Sequence, residues 1–178
     1  MEVCGGQTHS LLRYGIEEEL RDCIELLHGP GCPVCVTPAE SIDFACDLAN
    51  QKNAIIASFG DMLRVPGNRG SLQSARASGK DVRVVYSPID ALQIAEQNPH
   101  REVVFFAVGF ETTAPATALA LLEARRRELK NFSLLAAHVR VQPATRSVQE
   151  VPRESVADVA NRIRHRAVQA SESRAAHN

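Results

Sequence analysis

The chain has 178 residues, of which 44% are hydrophobic and 23% are charged, and its formal net charge is −1. This composition is typical of a soluble globular protein of one domain or slightly more. The balanced charge leaves no basic surface for nucleic acid, and the apolar runs are too short to span a membrane. Because the first residues lack the pattern of a secretion signal, we expect a cytoplasmic protein.

Five cysteines are present, at Cys4, Cys23, Cys32, Cys35 and Cys46. An odd number without a secretion signal argues against a framework of structural disulfides. A close pair together with single thiols suggests metal or redox chemistry instead.

The first cysteine, Cys4, ends a short predicted strand and precedes a predicted glycine turn. A short helix follows, and Gly15 ends it. Cys4 and His9 flank the glycines, so one interpretation places both side chains in one cleft. The other is equally consistent with the pattern: Cys4 is a small buried hydrophobe, and Gly5-Gly6 is an ordinary turn.

The second cysteine motif follows a predicted strand at residues 23–28. Cys32 and Cys35 lie in the turn Gly-Pro-Gly-Cys-Pro-Val-Cys, which spans residues 29–35. Thr37 and Glu40 predict a capping box that starts a helix two residues after Cys35. The positive end of that helix would face the thiols and lower their pKa. Such a pair suits redox exchange or metal binding.

That helix is predicted over residues 38–50. Its apolar stripe is Ile42, Ala45, Cys46 and Ala49, and its polar side is Glu40, Asp43 and Asp47. Cys46 is therefore predicted to be a core residue.

A short apolar run at residues 54–59 predicts a buried parallel strand. Asp61 follows it, at the end of the strand where open α/β sheets bind ligands. Asp61 is therefore a candidate general base or hydrogen-bond acceptor. A role as the cap of a turn fits the pattern equally well.

Strands and helices alternate over the rest of the chain. Further strands are predicted at 82–86, 103–108 and 132–137, with helices at 71–78, 88–97 and from 113 to about 129. Leu119 and Leu122 are predicted to face inward from the last helix. The alternation predicts an α/β fold with a parallel sheet in three layers, similar in topology to a Rossmann fold but without a nucleotide-binding loop.

We expect a first α/β domain at 1–88, which holds the cysteine motifs, and a partial second α/β domain at 89–141. Residues 142–178 contain no Gly, no Leu and no aromatic residue. Such a segment offers little apolar surface to bury, and we expect a divergent or disordered tail.

Five motifs, in this order, resemble the HypD family of hydrogenase maturation factors. They are Met-Glu-Val-Cys-Gly-Gly-Gln-Thr-His at 1–9, Gly-Pro-Gly-Cys-Pro-Val-Cys-Val-Thr-Pro at 29–38, Phe-Gly-Asp-Met-Leu-Arg-Val-Pro-Gly at 59–67, Gly-Phe-Glu-Thr-Thr-Ala-Pro at 109–115 and His-Val-Arg-Val at 138–141. The resemblance covers residues 1 to about 141.

The resemblance implies a scaffold on which the iron group of nickel–iron hydrogenases, Fe(CN)2CO, is assembled. In the family the scaffold works with the small partner HypC, and HypE delivers the cyanide ligands. Cys4 would bind the iron together with a HypC cysteine, in the motif that His9 closes. Cys32 and Cys35 would act as a thiol–disulfide couple, and Asp61 would line the same cleft. The family motifs also imply that the iron group is bound near Gly5, Gly6, Gln7, Thr8, Glu111 and Thr112.

The sequence departs from the family pattern at both ends, which predicts a truncated chain. In the family a later domain holds a [4Fe-4S] cluster on four further cysteines, and no cysteine follows Cys46 here. We expect the residues after about 144 to be read out of frame.

Three other interpretations stay open at this point. A structural zinc module would use Cys4, His9, Cys32 and Cys35, which are residue types that suit a Cys3His site. A thioredoxin-like oxidoreductase would use the Cys-x-x-Cys pair alone. The third interpretation is an inert fragment with a partial fold.

Overall fold

A computed structural model describes residues 1–146 of the chain. These residues divide into two compact units. One contains Met1–Pro30 and the described residues from Gln142 onward, and the other is Gly31–Val141. The described elements, in chain order, are α1 (Gly5–Arg13), α2 (Ile16–Leu20), α3 (Pro33–Val36), α4 (Ala39–Ala49), β1 (Ala54–Ser58), α5 (Leu72–Ala77), β2 (Val82–Val84), α6 (Pro88–Gln97), β3 (Glu102–Phe110), α7 (Ala114–Arg126), β4 (Phe132–Val139) and α8 (Val141–Arg146).

The N-terminal segment is mainly helical. The strands predicted before Cys4 and at 23–28 are wrong, because the two segments share a single isolated parallel bridge between Glu2 and His28. The predicted glycine turn is also wrong, since Gly5 is the first residue of α1 and Cys4 is its N-cap. Gly15 follows the end of α1 with a left-handed φ of 66°, as its predicted role required.

The four strands form one parallel sheet in the order β2-β1-β3-β4. The predicted α/β fold with a parallel sheet is confirmed. β3 is the longest strand, and it continues past Phe106, the partner of the last residue of β1, Ser58. In this order the chain passes from β1 to β2 on one side of β1 and then crosses over to form β3 on the other side of β1.

Both faces of the sheet are covered by helices. On one face Ile56, Val104 and Phe106 pack against residues of α4 such as Ile42 and Ala45. On the other face Ala57 and Phe105 pack with Ala91 of α6, while Leu92 of α6 packs with Ala120 of α7. Burial on two faces explains why the central strands read as continuous apolar runs rather than as alternating patterns.

Serine residues cap α5 and α6. The hydroxyl of Ser71 accepts from the amide of Ser74 at the start of α5, and that of Ser87 accepts from the amide of Asp90 at the start of α6. In both helices the side chain of the third residue accepts a hydrogen bond from the amide of the cap residue, which completes a capping box.

The predicted inner face of α7 is wrong. Leu119 and Leu122 are 60% and 64% exposed, whereas Thr117, Ala120 and Ala124 are buried. Small side chains on the inner face let the helix approach α6 and the sheet closely, and the leucines are left on the outer face.

The polar side of α4 also differs from the prediction at one position. Asp43 is 7% exposed, and its carboxylate accepts from the Asn68 side chain at 2.9 Å and from the Arg69 amide at 3.0 Å. A Cβ at Gly67 would lie 2.5 Å from the Asp43 carboxylate, so this contact needs a glycine. Asp43 therefore joins α4 to the loop before α5. Cys46 is partly buried against the core, as predicted.

The predicted domain boundary at residue 88 falls inside the second unit. β1 lies before it and β3 after it, and the two strands are hydrogen-bonded neighbours over Ala54–Ser58. The predicted tail at 142–178 begins within α8, and its residues from 147 onward lie outside the described part of the chain.

Candidate functional site

The carboxyl ends of β1 and β3 mark the point where the strand order reverses. Open parallel sheets bind ligands in the crevice outside such a point. Gly60 and Asp61 follow β1 here, and Glu111 and Thr112 follow β3. Two of the motifs singled out in the sequence, at 59–67 and 109–115, therefore lie at the carboxyl ends of neighbouring strands, on the same edge of the sheet.

Asp61 is exposed and caps a 3-10 turn. Its Oδ1 accepts a hydrogen bond of 2.9 Å from the amide of Met62, the first residue of that turn. This is the cap role that the sequence left open beside the role of general base. Asp61 also lines a cleft of about 530 Å³ together with residues from the 3-10 turn, α5 and β2.

Glu111 and Thr112 lie in a 3-10 turn between β3 and α7. The Glu111 carboxylate accepts a hydrogen bond of 2.9 Å from the amide of Val141, which is the first residue of α8. Thr112 is exposed. Glu111 therefore connects the ends of β3 and β4, and its role in binding the iron group stays a prediction.

Cys32 and Cys35 form a pair of close thiols, with their Sγ atoms 3.2 Å apart. Cys32 is the N-cap of α3, and the amide of Cys35 donates to the Cys32 carbonyl at 2.9 Å. Pro33 is buried, and Val34 packs against the core that includes Val108 of β3. The turn that holds the thiols is thus anchored by the two residues between them.

The predicted capping box after this pair is wrong. α4 begins at Ala39 without a side-chain cap, and Thr37 is buried. The Thr37 hydroxyl donates instead to the carbonyl of Pro33 at 2.7 Å. The helix that starts at the thiols is α3 itself. It begins directly after Cys32, so Cys35 lies within its single turn.

The pKa of the Cys32 thiol is lowered. Burial acts most strongly and raises the pKa. It is outweighed by hydrogen bonds to the thiolate from the Cys35 thiol and from the amides of Cys35 and Val34, while the charge of Asp61 raises the pKa slightly. Cys35 is the more exposed of the two cysteines. The predicted lowering is confirmed for Cys32, but its source is α3 rather than α4.

Cys4 lies in the first unit, at the N-terminus of α1. Its carbonyl accepts from the amides of Gln7 at 2.8 Å and Thr8 at 3.2 Å, and its thiol is partly buried. A pocket of about 500 Å³ adjoins it, lined by Glu2, Cys4, Gly6, Gln7, Ser10, Leu11 and Ile16. Cys4 is therefore open to a ligand rather than enclosed in a core.

The carboxylate of Glu2 organises the backbone around Cys4. It accepts from the Cys4 amide at 2.9 Å, from the hydroxyl of Thr8, from His28 Nδ1 at 3.1 Å and from the Gly29 amide at 3.3 Å. The hydrogen bond from Thr8 is the largest cause of a lowered pKa at Glu2. A side chain at Gly29 would collide with the Glu2 carbonyl oxygen, so the close approach of the two segments requires glycine there.

The other residues predicted for the Cys4 motif lie in α1. Four of them are exposed: Gly5, Gly6, Gln7 and His9. The hydroxyl of Thr8 donates a hydrogen bond to the Glu2 carboxylate. A Cβ at Gly6 would make an ordinary contact of 3.7 Å with the Cys4 thiol. The iron-binding roles predicted for these residues stay predictions.

No group of three or more His, Cys, Asp or Glu side chains that suits a metal ion occurs within residues 1–146. The zinc module predicted as an alternative therefore has no ligand cluster there, and the described residues do not fit a resident [4Fe-4S] cluster on four cysteines. None of the helices in the described part of the chain has the length and apolar character needed to cross a membrane.

From the sequence, no role was predicted for three side chains of these sites, which are Glu2, Arg64 and Arg76. Glu2 stands two residues before Cys4, and a carboxylate so close to a helix start is a recognisable capping signal. Arg64 and Arg76 line the cleft beside Asp61, but they come from different elements, so no local pattern connects them.

Comparisons with known proteins agree with the motifs. A family model named HypD and described as "Hydrogenase formation hypA family" matches residues 1–163. The match runs past residue 141, where the motifs quoted from the sequence end, and the out-of-frame tail expected after about 144 stays a prediction.

Curated relatives match over most of this chain. The hydrogenase maturation factor HypD of Escherichia coli (strain K12) is 49% identical over 152 residues, which are 85% of this chain and 41% of the relative. HypD of Rhodobacter capsulatus is 50% identical, with 85% of this chain and 40% of the relative covered. HypD2 of Bradyrhizobium diazoefficiens is 52% identical over 153 residues, with the same coverage. The chain spans about two-fifths of the length of these relatives.

Proposed function

The chain belongs to the HypD family of hydrogenase maturation factors, and we propose that it carries the part of the assembly scaffold that holds the iron group Fe(CN)2CO and supplies electrons for its completion. The observation that carries the proposal is the form of the two cysteine sites. One is a single, partly buried thiol beside an open pocket, and the other is a pair of thiols 3.2 Å apart.

Cys4 is the proposed ligand of the iron group, which is the cargo of the scaffold. A thiolate suits low-spin iron that also carries cyanide and carbon monoxide. A single protein thiolate leaves other coordination positions free, which a cysteine of a HypC-like partner and the incoming cyanide ligands would take. The position of the partly buried Cys4 thiol beside a pocket at the start of α1 supports such access.

Cys32 and Cys35 are the proposed source of electrons. When a sulfur–sulfur bond forms between them, the two thiols release two electrons and two protons. A cyano group carried covalently by a HypE-like donor takes both electrons and leaves as cyanide. One proton goes to the donor atom and the other to solvent. The lowered pKa of Cys32 supports this role, because the thiolate is the reactive form.

Asp61 and His9 are proposed to act at these sites without binding the metal. The negative charge of Asp61 acts on the Cys32 thiol and disfavours its thiolate. His9 is exposed on α1, where it is available to an approaching partner.

Infrared spectroscopy of the chain purified together with a HypC-like partner tests the proposal. We expect stretching bands of cyanide and carbon monoxide in the wild-type complex and their complete loss in Cys4→Ser. Cys32→Ser and Cys35→Ser should reduce the yield of the cyanide bands, because the dithiol is lost.

Cys23→Ser is the matched control, since it removes a thiol outside both sites, and its bands should be unchanged. Bands that persist in Cys4→Ser would exclude Cys4 as the ligand. A wild-type complex that contains stoichiometric zinc and no such bands would refute the proposed function.

A further inference from the structure

The cleft beside Asp61 is built differently from the two cysteine sites. It has a volume of about 530 Å³ and lies past the carboxyl ends of β1 and β2. Its lining residues are Gly60, Asp61, Leu63, Arg64, Gln73, Arg76, Ala77 and Val84. A volume of this size suits a small-molecule ligand, and clefts at this edge of a parallel sheet are common ligand sites.

Two arginines line the cleft without a partner among residues 1–146. Neither the Arg64 nor the Arg76 guanidinium has a hydrogen bond or ion pair within the described part of the chain. Several other arginines of the same unit are paired: Arg69 with Asp47 at 2.7 Å, Arg83 with Asp81 at 2.8 Å, Arg101 with Asp81 at 2.6 Å and Arg127 with Glu96 at 3.0 Å. The cleft thus concentrates unpaired positive charge.

The rest of the lining limits the ligand. Asp61 contributes one negative charge, and its Oδ1 is already used by the Met62 amide. Two arginines and one aspartate give the lining a net charge of +1. Gln73 adds an uncharged amide group, while Leu63, Ala77 and Val84 add apolar wall. Guanidinium groups bind phosphate through two parallel hydrogen bonds, and a doubly charged anion gains more from two of them than a single carboxylate does.

We propose that this cleft binds the phosphate group of a small molecule, held between Arg64 and Arg76. Gln73 provides a further hydrogen bond, and the apolar wall accommodates an organic substituent. The site goes beyond the proposed scaffold function, because neither iron binding nor the thiol–disulfide couple requires it.

Calorimetric titration of the 178-residue chain tests the proposal, with inorganic phosphate, phenyl phosphate and malonate as separate probes at constant ionic strength. We expect saturable binding of phosphate. Arg64→Gln and Arg76→Gln should each weaken it by about tenfold or more, because each removes a charged hydrogen-bond partner. Tighter binding of phenyl phosphate would identify a phosphate ester as the ligand, and tighter binding of inorganic phosphate would identify the free anion.

Arg125→Gln is the matched control. Arg125 is exposed on α7, outside the cleft, and its loss changes the net charge by the same amount. The affinity of the Arg125→Gln variant for phosphate should equal that of the wild type. Equal weakening in Arg125→Gln, no saturable binding in the wild type, or tighter binding of malonate than of phosphate would each overturn the proposal. Circular dichroism of every variant checks that the fold is intact.

Discussion

The two cysteine sites are held in place by different forces. Around Cys4, α1 and α2 contain no buried residue, and the backbone is fixed by hydrogen bonds that converge on Glu2. Around Cys32 and Cys35, the turn is fixed by Pro33 and Val34, which pack into an apolar core. A polar network depends on pH and on a few groups, whereas a core distributes its stabilisation over many contacts.

The difference suits the proposed roles. A cargo ligand that must meet a partner protein benefits from an exposed segment with few tertiary contacts. A thiol pair that must form and break a disulfide needs its two sulfurs kept at a constant separation. Three substitutions, in decreasing order of expected effect, test whether the two sites are held as this comparison states.

Phe106→Ala should have the largest effect. Phe106 is fully buried on β3 within the core that anchors Val34. Replacement of a buried phenylalanine by alanine lowers the free energy of unfolding by about 3–5 kcal/mol. Urea unfolding followed by circular dichroism measures this. Phe44→Ala is the control, because Phe44 is 52% exposed and its loss should cost under about 1 kcal/mol. Equal losses in both variants would contradict the assignment of the core.

Glu2→Gln should have a local effect in the first unit. It removes the charge that accepts from the amides of Cys4 and Gly29. We expect severalfold faster hydrogen exchange at these two amides and no change in β1 or β3, as measured by nuclear magnetic resonance. Glu19→Gln is the control, since Glu19 is exposed on α2. Faster exchange in β1 or β3 of Glu2→Gln than in the same strands of the wild type would show that the effect is not local.

The same network predicts a pH dependence. The pKa of Glu2 is lower in the folded chain than its ordinary value, with the hydrogen bond from Thr8 as the largest cause. The stabilisation is therefore fully present above the ordinary pKa of glutamate, about 4.3, and is lost as the pH falls through the lowered pKa. Exchange at the Cys4 amide should keep its protection at about pH 5 and lose it in more acidic solution, and Glu2→Gln should abolish this transition.

Cys35→Ala should have the smallest effect on structure. It removes the thiol that donates a hydrogen bond to the Cys32 thiolate and lowers the pKa of Cys32. Burial, which raises the pKa of Cys32, is then opposed by fewer hydrogen bonds. The midpoint pH for alkylation of Cys32 by iodoacetamide should therefore rise from its wild-type value, which the hydrogen bonds to the thiolate lower. Peptide mass spectrometry over a pH series measures it. Cys46→Ala, at a partly buried thiol on α4, should leave the midpoint unchanged, and a fall in Cys35→Ala would refute this account.

Local patterns predicted much of the sheet unit. The apolar runs placed β1 and β3, and the local pattern at 88–97 placed α6, because these features depend on residues within a few positions of one another. Prediction from a local pattern failed for the segment after Cys35. A threonine, a proline and a glutamate in the right spacing resembled a capping box, but the buried Thr37 bonds back to Pro33 instead.

What the sequence by itself determined is the set of reactive groups and the parallel α/β fold. The spacing of Cys32 and Cys35 makes a thiol pair possible, and the alternation of strands and helices leads to a parallel sheet. Only the tertiary structure decided that α7 turns alanines rather than Leu119 and Leu122 inward, that Asp43 is buried, and that Arg64 and Arg76 share a cleft. These outcomes depend on contacts between residues distant in the chain, and short-range periodicity carries no information about which elements will meet.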